Sequence, residues 1–295
     1  MLSKKDTPRK RAYKIFSIIL LVILAILFAF PLYWIITGAF KTGQEINAVK
    51  PVWFPTEWTT DNFVRLFARR SAPLFNIFGE GPIVPAAIRW LLNTVVMAVV
   101  AMILTCITAA MAGYALAKKR FVGRTIMFSL IICAMALPKQ VILIPLLKEM
   151  SALHLMNTLW AVIFPTVGWP FGVFLMKQFS EGIPGEILEA ARIDGASELK
   201  TFTTIVMPMV KPGIGALAIF TFINSWNDYF MQLIMLTSNN NYTIALGVST
   251  LQAETSVDPG VLMAGASLAA IPIIVIFLIF QKYFTQGITM GAVKG

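Results

Sequence analysis

Five neighbours, Asn224, Ser225, Trp226, Asn227 and Asp228, interrupt a stretch that is otherwise apolar. They bring together amides, a hydroxyl, an indole and a carboxylate, groups that hydrogen-bond hydroxyls and stack on C–H faces. A sugar presents those two kinds of surface. Polar groups inside an apolar helix are costly and face either an aqueous cavity or another helix, so helix–helix hydrogen bonding stands beside the cavity reading. A second polar stretch, 186–213, holds Glu186, Glu189, Glu198, Asp194, Arg192, Lys200, Lys211, Pro208 and Pro212 between two apolar runs. No catalytic residues are expected: there is no Gly-x-x-x-x-Gly-Lys-[Ser/Thr] phosphate loop, no His-Glu-x-x-His and no Gly-x-Ser-x-Gly. His154 is the single histidine and has no Cys or His companion in sequence, so it reads as a surface residue rather than a metal ligand. Lys139, beside Pro138, reads as a side chain that snorkels to an interface.

The chain that must position these groups is 295 residues long, 58% hydrophobic and only 13% charged, which is a membrane composition. Most of its long uncharged runs reach the ~20 residues that an α-helix needs to cross ~30 Å of hydrocarbon. Six spans are predicted, at about 15–38, 88–113, 124–147, 158–178, 213–236 and 260–282, giving an all-α integral membrane protein. The first run is too long for a signal-peptide core of ~7–15 residues and carries no Ala-x-Ala-like site. Prolines 138 and 145 weaken the third span, and the polar cluster shortens the fifth. Cys106 and Cys133 both lie in apolar runs and read as free thiols.

Sixteen of the 24 basic residues fall on one side of this topology: six before the first span, four at 118–124, four at 177–211 and two at 282–294. By the positive-inside rule that side is cytoplasmic. The expected organisation is a cytoplasmic segment 1–14, a six-span domain 15–283 and a cytoplasmic tail 284–295. The domain carries outer loops at 39–87 and 237–259 and a cytoplasmic loop at 179–211. Basic flanks explain the +10 charge without nucleic acid. Within loop 39–87, Thr60 or Asp61 is placed to cap a short amphipathic helix on the membrane surface, whereas Asn239, Asn240 and Asn241 mark a polar tip in loop 237–259.

Local punctuation resolves the 185–212 stretch. Pro184 and Gly185 end the preceding element, and Glu186 and Glu189 suit the first turns of a helix over 185–192. Ala190 and Ala191 give it a small face, Asp194-Gly195 is a turn that uses the freedom of glycine at positive φ, and 196–206 resumes helically until Pro208. Physics leaves two readings, an amphipathic surface loop or a docking element.

Glu189-Ala190-Ala191-x-x-Asp194-Gly195-Ala196, followed by Ile205-x-x-Pro208-x-x-x-Pro212, resembles the EAA loop of permease subunits of binding-protein-dependent ABC importers. Phe222-x-x-Ser225-Trp226-Asn227-Asp228, Trp90-Leu91-Leu92-Asn93-Thr94, Gly113-Tyr114-Ala115-Leu116-Ala117 and the tail from Thr289 to Gly295 are similar to maltose-type carbohydrate permeases, in particular the smaller subunit. The resemblance implies a type I ABC importer permease fold in a bacterial cytoplasmic (inner) membrane. It implies that Glu189, Ala190, Ala191, Asp194, Gly195, Ala196 and Lys294 couple the chain to an ATPase; the cavity reading of the polar residues 224–228 places them on the translocation path. The implied partners are a second homologous permease, two ATPase subunits that hold ATP and Mg, an extracytoplasmic solute-binding protein, an oligosaccharide and the lipid membrane. No cofactor is expected on this chain itself. An excess of two basic over acidic residues in the loop 39–87, counted with Arg89, points to an acidic saccharide of alginate or pectin type. The alternatives are an ABC importer for another solute, a stand-alone channel or a secondary transporter.

Overall fold

The first uncharged run forms α1 (Pro8–Ala39), whose large apolar side chains from Ile15 to Phe28 lie exposed along the chain's surface. An uncovered helix that is apolar all round belongs in lipid or against another membrane helix. The computed structural model describes residues 8–74, 81–254 and 258–292. After α1 come α2 (Gly43–Ile46), α3 (Asp61–Arg69) and a two-stranded antiparallel ribbon of β1 (Ser71–Pro73) and β2 (Ile83–Pro85), with Ala72 opposite Val84. The helices α4 (Ala86–Lys118), α5 (Arg124–Met135), α6 (Leu143–Ala152), α7 (Trp160–Val167) and α8 (Pro170–Glu181) follow. Next are α9 (Gly185–Ile193), α10 (Glu198–Thr201), a π-helical turn (Phe202–Val206), α11 (Met207–Met209), α12 (Lys211–Asn227) and α13 (Tyr229–Met235). The chain closes with α14 (Ile244–Glu254) and α15 (Pro259–Ala292).

The long α4 is the centre. It packs against α8 on one side and α12 on another, while α1 lies along α15. Its buried stripe of Met97, Ala98, Ala101, Ala109 and Ala110 is mostly small, which lets helix backbones approach closely. At Gly113 the approach reaches its limit: an added Cβ would lie 2.6 Å from the backbone nitrogen of Lys177 and from the carbonyl carbon of Met176. At the start of α4, Trp90 Nε1 donates to the Asn239 carbonyl at 2.9 Å, and Asn93 Nδ2 donates to those of Asn240 and Tyr242. These bonds satisfy the carbonyls of the 239–242 turn and fix it on the bundle.

Several expected boundaries shift. Among the described residues, four helical stretches are long and apolar enough to cross a membrane: Ala12–Ala39, Ala86–Lys118, Trp160–Glu181 and Pro259–Phe280. A fifth exists only as the pair Glu198–Met209 and Lys211–Asn227, bent by 78°. The expected third span, 124–147, is instead α5 and α6 separated by 136–142, because Pro138 lacks an N–H donor and disfavours helix in the residue before it. The expected tail is helical through Ala292, since nothing in 284–292 breaks α15. Loop 237–259 contains the apolar α14 beyond its polar tip. Helix α3 forms as expected, but Thr60 gives it no side-chain cap. It packs on the start of α15 rather than standing apart on a surface: Arg65 donates to Asp258 at 2.5 Å, Arg69 lies 3.7 Å from the same carboxylate, and Leu66 is buried.

Before α3, Thr42 and Glu45 form a reciprocal capping box on α2. A hydrogen bond from the Thr56 hydroxyl, with backbone N–H groups of Thr42 and Thr56, pulls the Glu45 carboxyl down to about 2.

Candidate functional site

The 185–211 unit is built as its sequence punctuation suggests, with one addition. α9 ends in a Schellman closure: Gly195 N donates to the Arg192 carbonyl at 3.1 Å and Ala196 N to that of Ala191 at 3.0 Å. Gly195 sits at φ 73°, the left-handed conformation that this closure requires. Ser197 then caps α10 by accepting from Lys200 N, and the following arm meets α12 at the 78° bend. The addition is the π turn at Phe202–Val206 in the middle of that arm, a local widening common at functional sites.

The arm is fixed to the bundle by the end of α4. The Tyr114 and Phe202 rings are 5.7 Å apart, and Lys118 Nζ donates to the carbonyls of Glu181 and Ile183, just ahead of α9. Lys119 pairs with Glu198. Partial burial acts to lower the Lys119 pKa, but hydrogen bonds to Glu198 and Tyr114 outweigh it and raise the value. The hydrogen bond to Lys119 holds the Glu198 carboxyl below its ordinary range. A depressed carboxylate contributes above its unfolded pKa and loses that contribution as pH falls through the folded one. The Lys119 tie therefore weakens on acidification.

The small face divides. Ala191 is buried, Ala196 is half-buried, and Ala190, Glu189, Asp194 and Gly195 face outward. Beside them, Ile193 is 86% and Leu199 70% exposed. One side of the unit is anchored and the other offers a carboxylate next to bare apolar side chains. Lys294 lies outside the described residues.

The other end of α12 opens on a cavity of about 420 Å³. Three helix interruptions meet there: 136–142 after α5, Gly168–Trp169 between α7 and α8, and Asp228 between α12 and α13. Irregular backbone within a membrane bundle is tolerated where it lines a cavity. The five polar residues do not share one fate. Asn224 and Asp228 line the cavity. Ser225 and Trp226 are turned into the core, Trp226 stacked on Phe222 at 5.5 Å. The Ser225 carbonyl accepts from the buried Gln232, whose Oε1 accepts from the Thr243 hydroxyl. Asn227 is exposed and donates back to the Ile223 carbonyl. A helix turns about 100° per residue, so five consecutive residues cannot face one cavity.

Lys139 also departs from the expectation of a snorkelling side chain. Its Nζ donates to Asp228 Oδ2 at 2.7 Å across the cavity wall. The partners are 89 positions apart, and nothing in the sequence announces their pairing. The contacts of Gly113 and Lys118 likewise depend on where α8 and the residues after it lie, which no local pattern in the sequence gives.

The bundle thus joins helices long and apolar enough to cross a membrane, an anchored polar loop and a broken-helix cavity. The chain belongs to the binding-protein-dependent transport system inner membrane components, which it matches over residues 107–290. It is 34% identical over 274 residues to the arabinooligosaccharides transport system permease protein AraQ of Halalkalibacterium halodurans, covering 92% of this chain and 93% of the relative. It is 33% identical over 294 residues to the maltodextrin transport system permease protein MdxG of Bacillus subtilis, covering 96% of each. Its fold matches a chain of a bacterial ABC transporter involved in the import of the acidic polysaccharide alginate, with TM-score 0.80 at 21% identity, covering 96% of this chain and all of that one. The type I importer permease fold expected from the sequence is therefore the fold of this chain.

Proposed function

We propose that this chain forms half of the translocation path of an ATP-driven, binding-protein-dependent oligosaccharide importer. Its partners are a second similar permease, two ATPase subunits that hold ATP and Mg, and an extracytoplasmic binding protein that delivers the saccharide. The observation that carries this reading is the course of α12. Its 17 residues, about 25 Å of helix, run from the bend below the 185–211 unit to the cavity at Asp228. Movement of the docked unit is delivered along a rigid rod to the place where the helices are broken. Glu189 meets a basic group of the ATPase, Ala190 permits close approach, and Asp194, Gly195 and Ala196 set the angle at which the arm pulls. Lys294, outside the described residues, is assigned a contact with the same ATPase pair.

The relatives that import arabinooligosaccharides and maltodextrin support an oligosaccharide as the solute. Four of the six cations counted near loop 39–87 are engaged by groups within the fold rather than left to meet an acidic one. Lys41 is buried over the Trp34 ring and donates to the Val52 carbonyl, Arg65 and Arg69 face Asp258, and Arg89 donates to the Asn240 carbonyl. These cations hold the fold together.

In this reading both termini and the 185–211 unit are cytoplasmic. Cysteines placed singly at the exposed Asn240 and Ser197, with Cys106 and Cys133 replaced by serine, test it. An impermeant thiol reagent labels the Asn240 position in intact cells and the Ser197 position only after permeabilisation. The reverse pattern would overturn the topology. Screening saccharides against the partner binding protein tests the solute class.

A further inference from the structure

We infer that Lys139 and Asp228 form a charge-balanced gate that favours solutes without net charge over ionic ones. The inference rests on reading the cavity as part of the saccharide path, and it adds the property by which the path selects. Among the cavity's described lining residues, Lys139 and Asp228 are the two charged side chains, and they neutralise one another at 2.7 Å. The remaining polar lining, Asn224, Thr166 and Trp169, is uncharged and suited to hydroxyls and C–H faces.

The two charges are held differently. Asp228 is 12% exposed and has both oxygens engaged: Oδ1 accepts from Met231 N at the start of α13 while Oδ2 accepts from Lys139. Lys139 is 47% exposed and sits in the irregular 136–142 connection. Asp228 is thus the fixed half of the pair and Lys139 the half that can swing. The pair ties the α5–α6 break to the α12–α13 break, so a solute that enters the cavity between these breaks meets the pair. An uncharged saccharide exchanges hydrogen bonds with both groups and leaves the local field balanced. An anionic or cationic one competes with one partner and leaves the other exposed to like charge.

The gate is tested without knowing the solute, by reaction of a cysteine at Asn224 with thiosulfonate reagents of similar size and opposite charge. The full chain is used, assembled with its partners, with Cys106 and Cys133 replaced by serine. The ratio of anionic to cationic reaction rates with the pair intact is the starting value. Asp228→Asn keeps an oxygen for the Met231 cap but leaves the ammonium alone, and should raise the ratio about three-fold or more. Lys139→Gln should lower it by a similar factor, and the double variant should return it to the starting value. A ratio that is the same in all four chains would overturn the gate and leave the path reading intact. A cysteine at 224 that reacts with neither reagent would overturn both, because the cavity would then not be a water-filled route.

Discussion

A Gly195→Val chain is expected to insert, pack its helices normally and lose at least tenfold in solute-driven transport. Gly195 lies at φ 73°, and no atom lies within 4 Å of the position a Cβ would take. A larger side chain therefore meets open space, and the penalty is conformational alone. An ordinary L-residue in this region costs about 1–2 kcal/mol, and a β-branched one is a genuine outlier there. The cheapest escape is to abandon the left-handed conformation, which breaks the closure onto Arg192 and Ala191 and re-aims α9 against the arm. Gly195→Asn is the control: asparagine tolerates the left-handed region, has equal room, and should keep transport within about two-fold of wild type. Transport assays in reconstituted vesicles beside membrane yields separate the outcomes. Equal activity of the valine and asparagine chains would show that the angle does not matter.

Gly113 is expected to show the opposite signature, a loss of folding rather than of coupling. The atoms that an added Cβ would meet at 2.6 Å belong to the α8 backbone, so no side-chain rotation relieves the clash. Gly113→Ala must push α4 and α8 apart along the most extensive helix contact among the described residues. Overpacking of this kind costs about 1–3 kcal/mol when a flexible neighbour can yield, and here none can. The purified complex should show a clearly lowered melting temperature or fail to assemble. Gly43→Ala, where nothing lies within 4 Å, should leave stability unchanged or slightly raised. A Gly113→Ala complex as stable as wild type would mean that the helices are packed less closely than described.

These two glycines also show what could be read in the sequence. Gly195 was legible because a polar segment between apolar runs is punctuated locally: Asp194-Gly195, Ser197, Pro208 and Pro212 determine its turn and ends with little help from elsewhere. Gly113 was not, since a glycine inside an apolar helix says nothing about which helix approaches it. The same distinction explains the spans. α1, α4 and α15 follow from uninterrupted apolar runs, whereas Pro138 and Asp228 turned the third and fifth expected spans into broken elements whose halves are placed by tertiary packing. The polarity of residues 224–228 is visible in the sequence, but polarity alone does not show that Trp226 stacks in the core while Asp228 pairs with Lys139. The Lys139–Asp228 pair depends on two breaks meeting, and no local pattern encodes that.

The central claim, that the exposed side of α9 receives the ATPase, is tested most directly by Glu189→Lys. Glu189 is exposed at the described surface, so its reversal should leave the chain's folding and insertion intact. Like charge against a docked basic group costs several kcal/mol, and ~3 kcal/mol is about a hundredfold in affinity. The measurement is co-purification of the ATPase with the tagged permease, together with solute-stimulated ATP hydrolysis by the reconstituted complex. The account predicts normal membrane levels of the variant, loss of most of the bound ATPase and loss of stimulated hydrolysis. Wild-type amounts of bound ATPase with wild-type stimulation would contradict it and reduce the 185–211 unit to an ordinary loop.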